Sequence, residues 1–449
     1  MNKTGKVFIC HHIDTEGPLY ESLEELFSRI KLIFGIDMIP SQSNLRKLQN
    51  REIDISDEVW KELKVTIDPH TISFKGTWEE IDLMLSNIMS DSYRNKVLDS
   101  SGQGWKYNWH IMDHVGFVNN PRRRDLGYMK IFEYYQHKIE ETQSQDQDTL
   151  HWHFHPVHRN RDAHIPATSY DNSSFELHQV ISRRIIEKAW FPVVNRAGFH
   201  SVRSDSNLFL EQWIPFDPSN QAIDDDNQPK FQKDLVNGRF GDWRGAPSNW
   251  DIYHPDHADW RRQGNMNRYV ARILNMSSRH RNIDAHELEK AFVKARNGEN
   301  VYVGITNHDW RDMKKEIDDF LSILTEVSGK YEDVSFEFSE SVSAFRQILF
   351  DQEETEKQKL NMDVKLENTN LVVKVTNGKI FGPQPYLAVK TISGEYFHDN
   401  FDFLSGPYDE NAEFAYPFDN YTINLKEVEK IGVASNDKYG NQDIKILAL

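Results

Sequence analysis

Cysteine is nearly absent: Cys10 stands alone among 449 residues, so no intrachain disulfide can form. Long apolar runs are missing too. No stretch approaches the roughly eighteen apolar residues of a membrane-spanning helix. The opening MNKTGKVFICHHIDTEG holds four consecutive apolar side chains, Val7 to Cys10, before two histidines, where a secretory signal needs a longer apolar core. Positive charge is in deficit, with 53 basic residues against 70 acidic ones and a formal net charge of −17. Such a surface repels phosphate backbones and anionic lipid. That argues against nucleic-acid or membrane binding through bulk charge and leaves room only for a local basic pocket that takes a small anion. The expectation is a soluble, cytoplasmic protein.

Core-building material is ample. Hydrophobic residues make up 38% and aromatics 12%, a globular composition, and the chain is longer than one small domain. Residues 6–10 read as a buried strand and 21–34 as a helix, with Leu23, Leu26, Ile30 and Ile33 near helical spacing. Strand candidates at 107–112, 150–154, 190–195, 269–274, 301–306 and 334–338 alternate with helix candidates at 126–141, 174–188, 206–213, 285–297 and 312–328. Residues 37–105 read as a polar insertion with helical fragments near 57–63 and 78–89, and 218–237 as a loop. This alternation predicts an α/β fold, a parallel sheet or barrel, over 1–350. A charged linker follows at 351–360. Beyond it the pattern turns β-like, and 361–449 predicts a small all-β, sandwich-like C-terminal domain. Asn377-Gly378, between two alternating runs, signals a hairpin.

Histidine is the anomaly, with 19 copies, several clustered with Asp, Glu and Trp. His11-His12-Ile13-Asp14-Thr15-Glu16-Gly17-Pro18 follows the first strand. There Asp14 and Glu16 can divide two roles, base and metal ligand, or simply form a solvated turn. His151-Trp152-His153-Phe154-His155-Pro156 sets three imidazoles at alternate positions of a strand, on one face, and imidazole is a preferred ligand of Zn²⁺ and its neighbours. Arg196-Ala197-Gly198 puts an arginine at a strand end, as a carboxylate clamp or a surface turn. In Thr306-Asn307-His308-Asp309-Trp310, His308 is a candidate general acid or base with Asp309 as its orienting partner, or else a helix cap. Asp242, Trp243 and Tyr253 offer a sugar face, or core packing. Four of these clusters stand at the C-terminal ends of different predicted strands, where barrel loops converge. That alignment predicts one active site.

In this order and spacing the motifs resemble the polysaccharide deacetylases, metal-dependent carbohydrate esterases with a distorted (β/α) barrel. Asp14-Thr15-Glu16-Gly17-Pro18 resembles the first motif, with one residue interposed and Glu in the second position. His151 with His155-Pro156 matches the His-x-x-x-His motif, while His153 with His155 matches the His-x-His-Pro of a divergent branch. Arg196-Ala197-Gly198 and the run ending at His308 are similar to later motifs, and the likeness covers about residues 6–345. The resemblance implies a deacetylase-type barrel. It also implies a divalent metal, Zn²⁺, on Glu16, His155 and either His151 or His153. Asp14 would be the base, Arg196 its partner and His308 the acid, with Asp242, Trp243, Tyr253 and Asp309 toward the substrate. The implied reaction removes an N-acetyl or O-acetyl group from a carbohydrate. Two alternatives are a metal hydrolase of the amidohydrolase or phosphoesterase type, and a non-catalytic carbohydrate-binding protein with a degenerate site.

Overall fold

Seven strands, all but the last largely buried, form the centre of a computed structural model that describes residues 4–120, 122–161, 169–198, 201–224, 241–351, 353, 355 and 358–449. They are β1 (Lys6–Thr15), β2 (Tyr107–Asp113), β3 (Thr149–Phe154), β4 (Phe216–Asn220), β5 (Tyr269–Asn275), β6 (Val301–His308) and β7 (Ser335–Phe338). They make one seven-stranded sheet in the order β3-β2-β1-β6-β5-β4, with β7 beside the start of β1. All its pairings are parallel. The sheet is curled, and a two-residue segment spans its edges. Val194 bridges Phe216 of β4 and Asn195 bridges Trp152 of β3, both parallel. The Trp152 amide donates to the Val194 carbonyl at 3.1 Å and the Asn195 amide to the Phe216 carbonyl at 2.9 Å.

The period-2 alternation of a strand sorts side chains between the two faces. Val7, Ile9 and Ile13 of β1 join Val301, Val303 and Ile305 of β6 in the outer core, under the helices Ala285–Arg296 and Met313–Lys330. Phe8, Cys10, Tyr302, Ala271, Val194 and Phe216 face inward, against Ala344 and Phe345 of the helix Ser341–Leu349. Above this apolar floor lies a polar layer. His12 meets His110 at 2.7 Å, the Tyr302 hydroxyl lies 2.8 Å from the other His12 ring nitrogen, and Ser341 lies 2.8 Å from Tyr302. A buried polar group without a hydrogen bond costs several kcal/mol, so this chain of partners explains how imidazoles tolerate the interior.

The structure differs from the sequence reading in four places. β1 runs through Thr15, so His11 and His12 lie within the sheet rather than in a loop after it. Phe216–Asn220 is a strand where the loop 218–237 was expected to begin; residues 225–237 of that loop lie outside the described residues. The run at 190–195 forms only the bridges of Val194 and Asn195. Asn377-Gly378 does not join a hairpin. β9 (Asn370–Asn377) pairs with β8 (Asn361–Glu367) and with the strand Glu413–Pro417, whereas β10 (Tyr386–Thr391) belongs to the other sheet.

Those two antiparallel four-stranded sheets form the C-terminal unit. Their facing sides bury Leu371, Val373, Leu387, Val389, Phe414, Tyr416, Ile431 and Val433. The outer face of one sheet packs on the helix Ser174–Lys188: Tyr386, Ala388 and Ala434 share a core with Ile181 and Ile185. At Gly432 a Cβ atom would lie 2.7 Å from Ile185 Cγ2, so only glycine permits that approach. No helix among the described residues is long and apolar enough to cross a membrane.

Candidate functional site

Three strand ends converge at the C-terminal rim of the curled sheet. Asp14 of β1 is in register with His308 of β6 and His110 of β2. Glu16 follows two residues after Asp14, and His155 two residues after His153, so each pair projects from one side of its strand. Gly17 has φ +69°, the left-handed region, which turns the chain away just after Glu16. Gly198 lets the segment carrying Arg196 cross over His155, because a Cβ there would lie 2.0 Å from the Phe154 carbonyl oxygen.

Glu16, His153 and His155 each offer one ligand atom, all within 4.8 Å of one another, and all three residues are buried. The two Nε2 atoms of His153 and His155 are 3.0 Å apart, and His155 Nε2 lies 3.6 Å from Glu16 Oε1. Donors 2.0–2.1 Å from a tetrahedral zinc stand about 3.3 Å from each other, so these spacings suit a metal ion. His153 Nδ1 donates to the Arg196 carbonyl at 2.9 Å, which leaves Nε2 as the lone-pair nitrogen. Burial pushes both imidazoles down, His155 well below the usual range, with His153 adding to the effect on His155. Neutral imidazole is the form that ligates. Glu16 Oε2 is tied separately, by Arg124 and by the Trp310 indole N–H at 3.2 Å. Its Oε1 is left facing the imidazoles.

Asp14 stands beside this trio. Its Oδ1 lies 2.7 Å from Arg196 Nε and 3.6 Å from His153 Nδ1, and its Oδ2 lies 3.6 Å from His308 Nε2. His308 Nε2 also lies 3.8 Å from Glu16 Oε1, and its ring leans on Trp310 at 4.5 Å between centroids. Burial, then Arg311, hold the His308 imidazole well below its usual range. These groups border a cavity of about 190 Å³.

No family model, curated protein or solved structure matches this chain.

Of the residues singled out in the sequence, Asp14, Glu16, His153, His155, Arg196 and His308 come together. His151 does not join them. Its Nε2 faces Thr149 Oγ1 at 2.9 Å, Asn108 Oδ1 at 3.2 Å and Glu340 at 3.4 Å, in the polar layer beside His110. Asp309 does not line the cavity either. It accepts the backbone N–H groups of Glu16 and Gly17, both at 2.9 Å, and the Tyr135 hydroxyl at 2.7 Å. It is thus a brace for the end of β1, and burial pushes its carboxyl up to about 7. Trp243 and Tyr253 are buried together with Ala197, Val202 and Val270, and Asp242 pairs with Arg244 and Arg261. These three fill and edge a small core beside the site rather than its cavity.

Sequence reasoning passed over Arg124 and its neighbour Arg122. The signal was there: Arg122-Arg123-Arg124 is a run of three arginines in a strongly acidic chain. Arg29, Arg279 and Arg311 also line the cavity and come from distant segments, with no motif to join them.

Proposed function

We propose that this protein is a metal-dependent hydrolase that removes an acyl group, acetyl first of all, from an amino sugar. The observation that carries the reading is the juxtaposition of the Glu16, His153 and His155 ligand atoms with an arginine-paired Asp14 and with His308; all of these residues except His155 line one cavity. The likeness to the polysaccharide deacetylases, in motif order and in a curled parallel sheet, supports the same chemistry.

Glu16, His153 and His155 would hold the divalent ion, Zn²⁺ by that likeness, which when bound polarises an acyl carbonyl and acidifies water. The remaining work falls to the chain. Arg196 keeps Asp14 oriented to accept a proton from the attacking water. His308 starts neutral. Asp14 Oδ2, 3.6 Å away, is the nearest carboxylate oxygen to its Nε2 and can pass that proton on. His308 then delivers it to the leaving nitrogen. Asp309 and Tyr135 fix the backbone of Glu16, so the carboxylate is set before substrate arrives.

The test is acetate release from a panel of N-acetylated sugars, with metal content measured on the same samples. Turnover that needs the metal, with about one ion per chain, supports the reading. A protein that retains metal yet releases no acetate from any member of the panel overturns it.

A further inference from the structure

The cavity is basic in an acidic protein. Six arginines line it, Arg29, Arg122, Arg124, Arg196, Arg279 and Arg311, against three carboxylates, Asp14, Glu16 and Glu21. Two of those carboxylates are committed, Asp14 to Arg196 and Glu16 to Arg124. The third, Glu21, is shared. Arg29 grips it with two bonds, of 3.0 and 2.8 Å, and Arg122 adds another at 3.0 Å. Among the described residues the carboxylate that pairs with Arg311 is the distant Glu316, at 3.9 Å, which does not line the cavity.

These guanidiniums feel one another. Arg122 is pushed down by burial and then by Arg29 and Arg279, against the pull of Glu21; Arg311 is pushed down by burial and by Arg29, against Glu316. Arg122 and Arg311 are more than nine-tenths buried. Arg122 Nε and Arg311 Nη1 have no hydrogen-bond partner among the described residues. Buried cations crowded together with unused donors are costly unless an anion completes them. Guanidinium forks suit the oxygens of phosphate and carboxylate groups.

We propose that the substrate is an acylated sugar carrying an anionic group, a phosphate or a carboxylate, which seats on Arg29, Arg122 and Arg311 while the acyl group reaches Glu16, His153 and His155. This rests on the deacylase reading above and narrows its substrate class.

The test uses the full-length protein as purified, and again after chelation, because a bound cation would itself attract anions. Inorganic phosphate and glucuronate are titrated calorimetrically into both samples. Binding is expected to survive chelation and to weaken with added salt. It should fall about ten- to hundred-fold in Arg122→Met and in Arg311→Met. The exposed control Arg296→Met should bind as the parent does. If a Met variant does not fold, Arg122→Lys and Arg311→Lys replace it; they keep the charge but lose the fork, and binding should drop several-fold. Stronger binding of phosphate assigns a phosphorylated sugar, and stronger binding of glucuronate a sugar acid. Absence of binding by the parent, or binding unchanged in these variants, overturns the proposal whatever the acetate assay gives. Anion binding that tracks these arginines, with no acetate released from N-acetylglucosamine 1-phosphate or N-acetylglucosamine, supports the anion site and sinks the deacylase reading instead.

Discussion

Replacing His153 should strip the site of its metal, and replacing His151 should not. The sequence offers both as partners of His155, but only His153 turns an unencumbered Nε2 toward His155, at 3.0 Å, with Nδ1 anchored on a carbonyl. His151 spends its Nε2 on Thr149 and Asn108. A protein zinc site is worth about 10 kcal/mol at the low end; divided among three ligands, one imidazole contributes about 3 kcal/mol, roughly 150-fold in affinity. His153→Gln should therefore weaken zinc binding by about two orders of magnitude. His151→Gln, which keeps a polar group toward Thr149, should change it by no more than about three-fold. The assay is competition with a chromophoric chelator, alongside metal content after gel filtration. Loss of metal in the His151 variant with retention in the His153 variant would refute the ligand geometry. Equal loss in both, with unchanged far-ultraviolet circular dichroism, would show that the polar layer and the rim act as one unit.

Asp14→Asn should hold metal as the parent does and release no acetate, checked by metal content and end-point acetate; a variant that stays active would remove Asp14 from the role of base. Asp309→Asn places an amide N–H₂ near the Glu16 and Gly17 amides, so one of the two bonds is lost. Metal affinity should fall about ten- to hundred-fold, as for other supports of a ligand, with thermal stability lowered. Where the C-terminal unit meets the helix Ser174–Lys188, His398 stacks on His178 at 4.4 Å, and burial holds their pKa values at about 4 and about 3. Both are depressed below the unfolded value, so their contribution is complete above pH ~6.5 and is lost as pH falls toward the folded values, about 3 kcal/mol for His398 alone. His398→Phe should flatten the fall in melting temperature between pH 6.5 and 4.5 relative to the parent; identical slopes would contradict this.

Much of the fold was legible because burial writes itself into periodicity. Continuous apolar runs mark β5, β6 and the start of β1, and amphipathic spacing marks the helix Met313–Lys330. The misreadings have physical causes. Phe216–Asn220, sequence FDPSN, carries a proline and three polar residues and lacks the composition of a strand. It is one because Asp217 turns to Arg268 and Asn220 Nδ2 donates to the Pro247 carbonyl at 2.8 Å, partners that no local pattern reveals. His11 and His12 read as a polar loop but lie inside the sheet. Trp105 Nε1 donates to His11 at 3.0 Å, Asn307 takes its other nitrogen, and His110 and Tyr302 satisfy His12. Trp243 and Tyr253 looked like a sugar face because stacking on sugar and packing in a core ask for the same side chains. Only burial separates them.

The site was legible for a narrower reason. Groups two residues apart on a strand share a face, so Asp14 with Glu16 and His153 with His155 each announce a pair of functional groups on one side of a sheet. Adjacent residues would have pointed to opposite faces. The Asp-x-Glu spacing therefore sets both carboxylates on the inner side of β1 and its extension, where β6 brings His308 into register with Asp14. His-x-His does the same from β3, two strands away across β2. The arginines follow no such rule. They arrive from five separate stretches of chain and meet only because the strand ends and the loops above them converge. The basic lining of the cavity is thus a tertiary property, while the Glu16, His153 and His155 cluster is a property of two short strands. Exchanging Arg29, Arg122 or Arg311, none of which touches Glu16, His153 or His155, should alter anion binding by the cavity, read by calorimetry, while leaving that cluster in place.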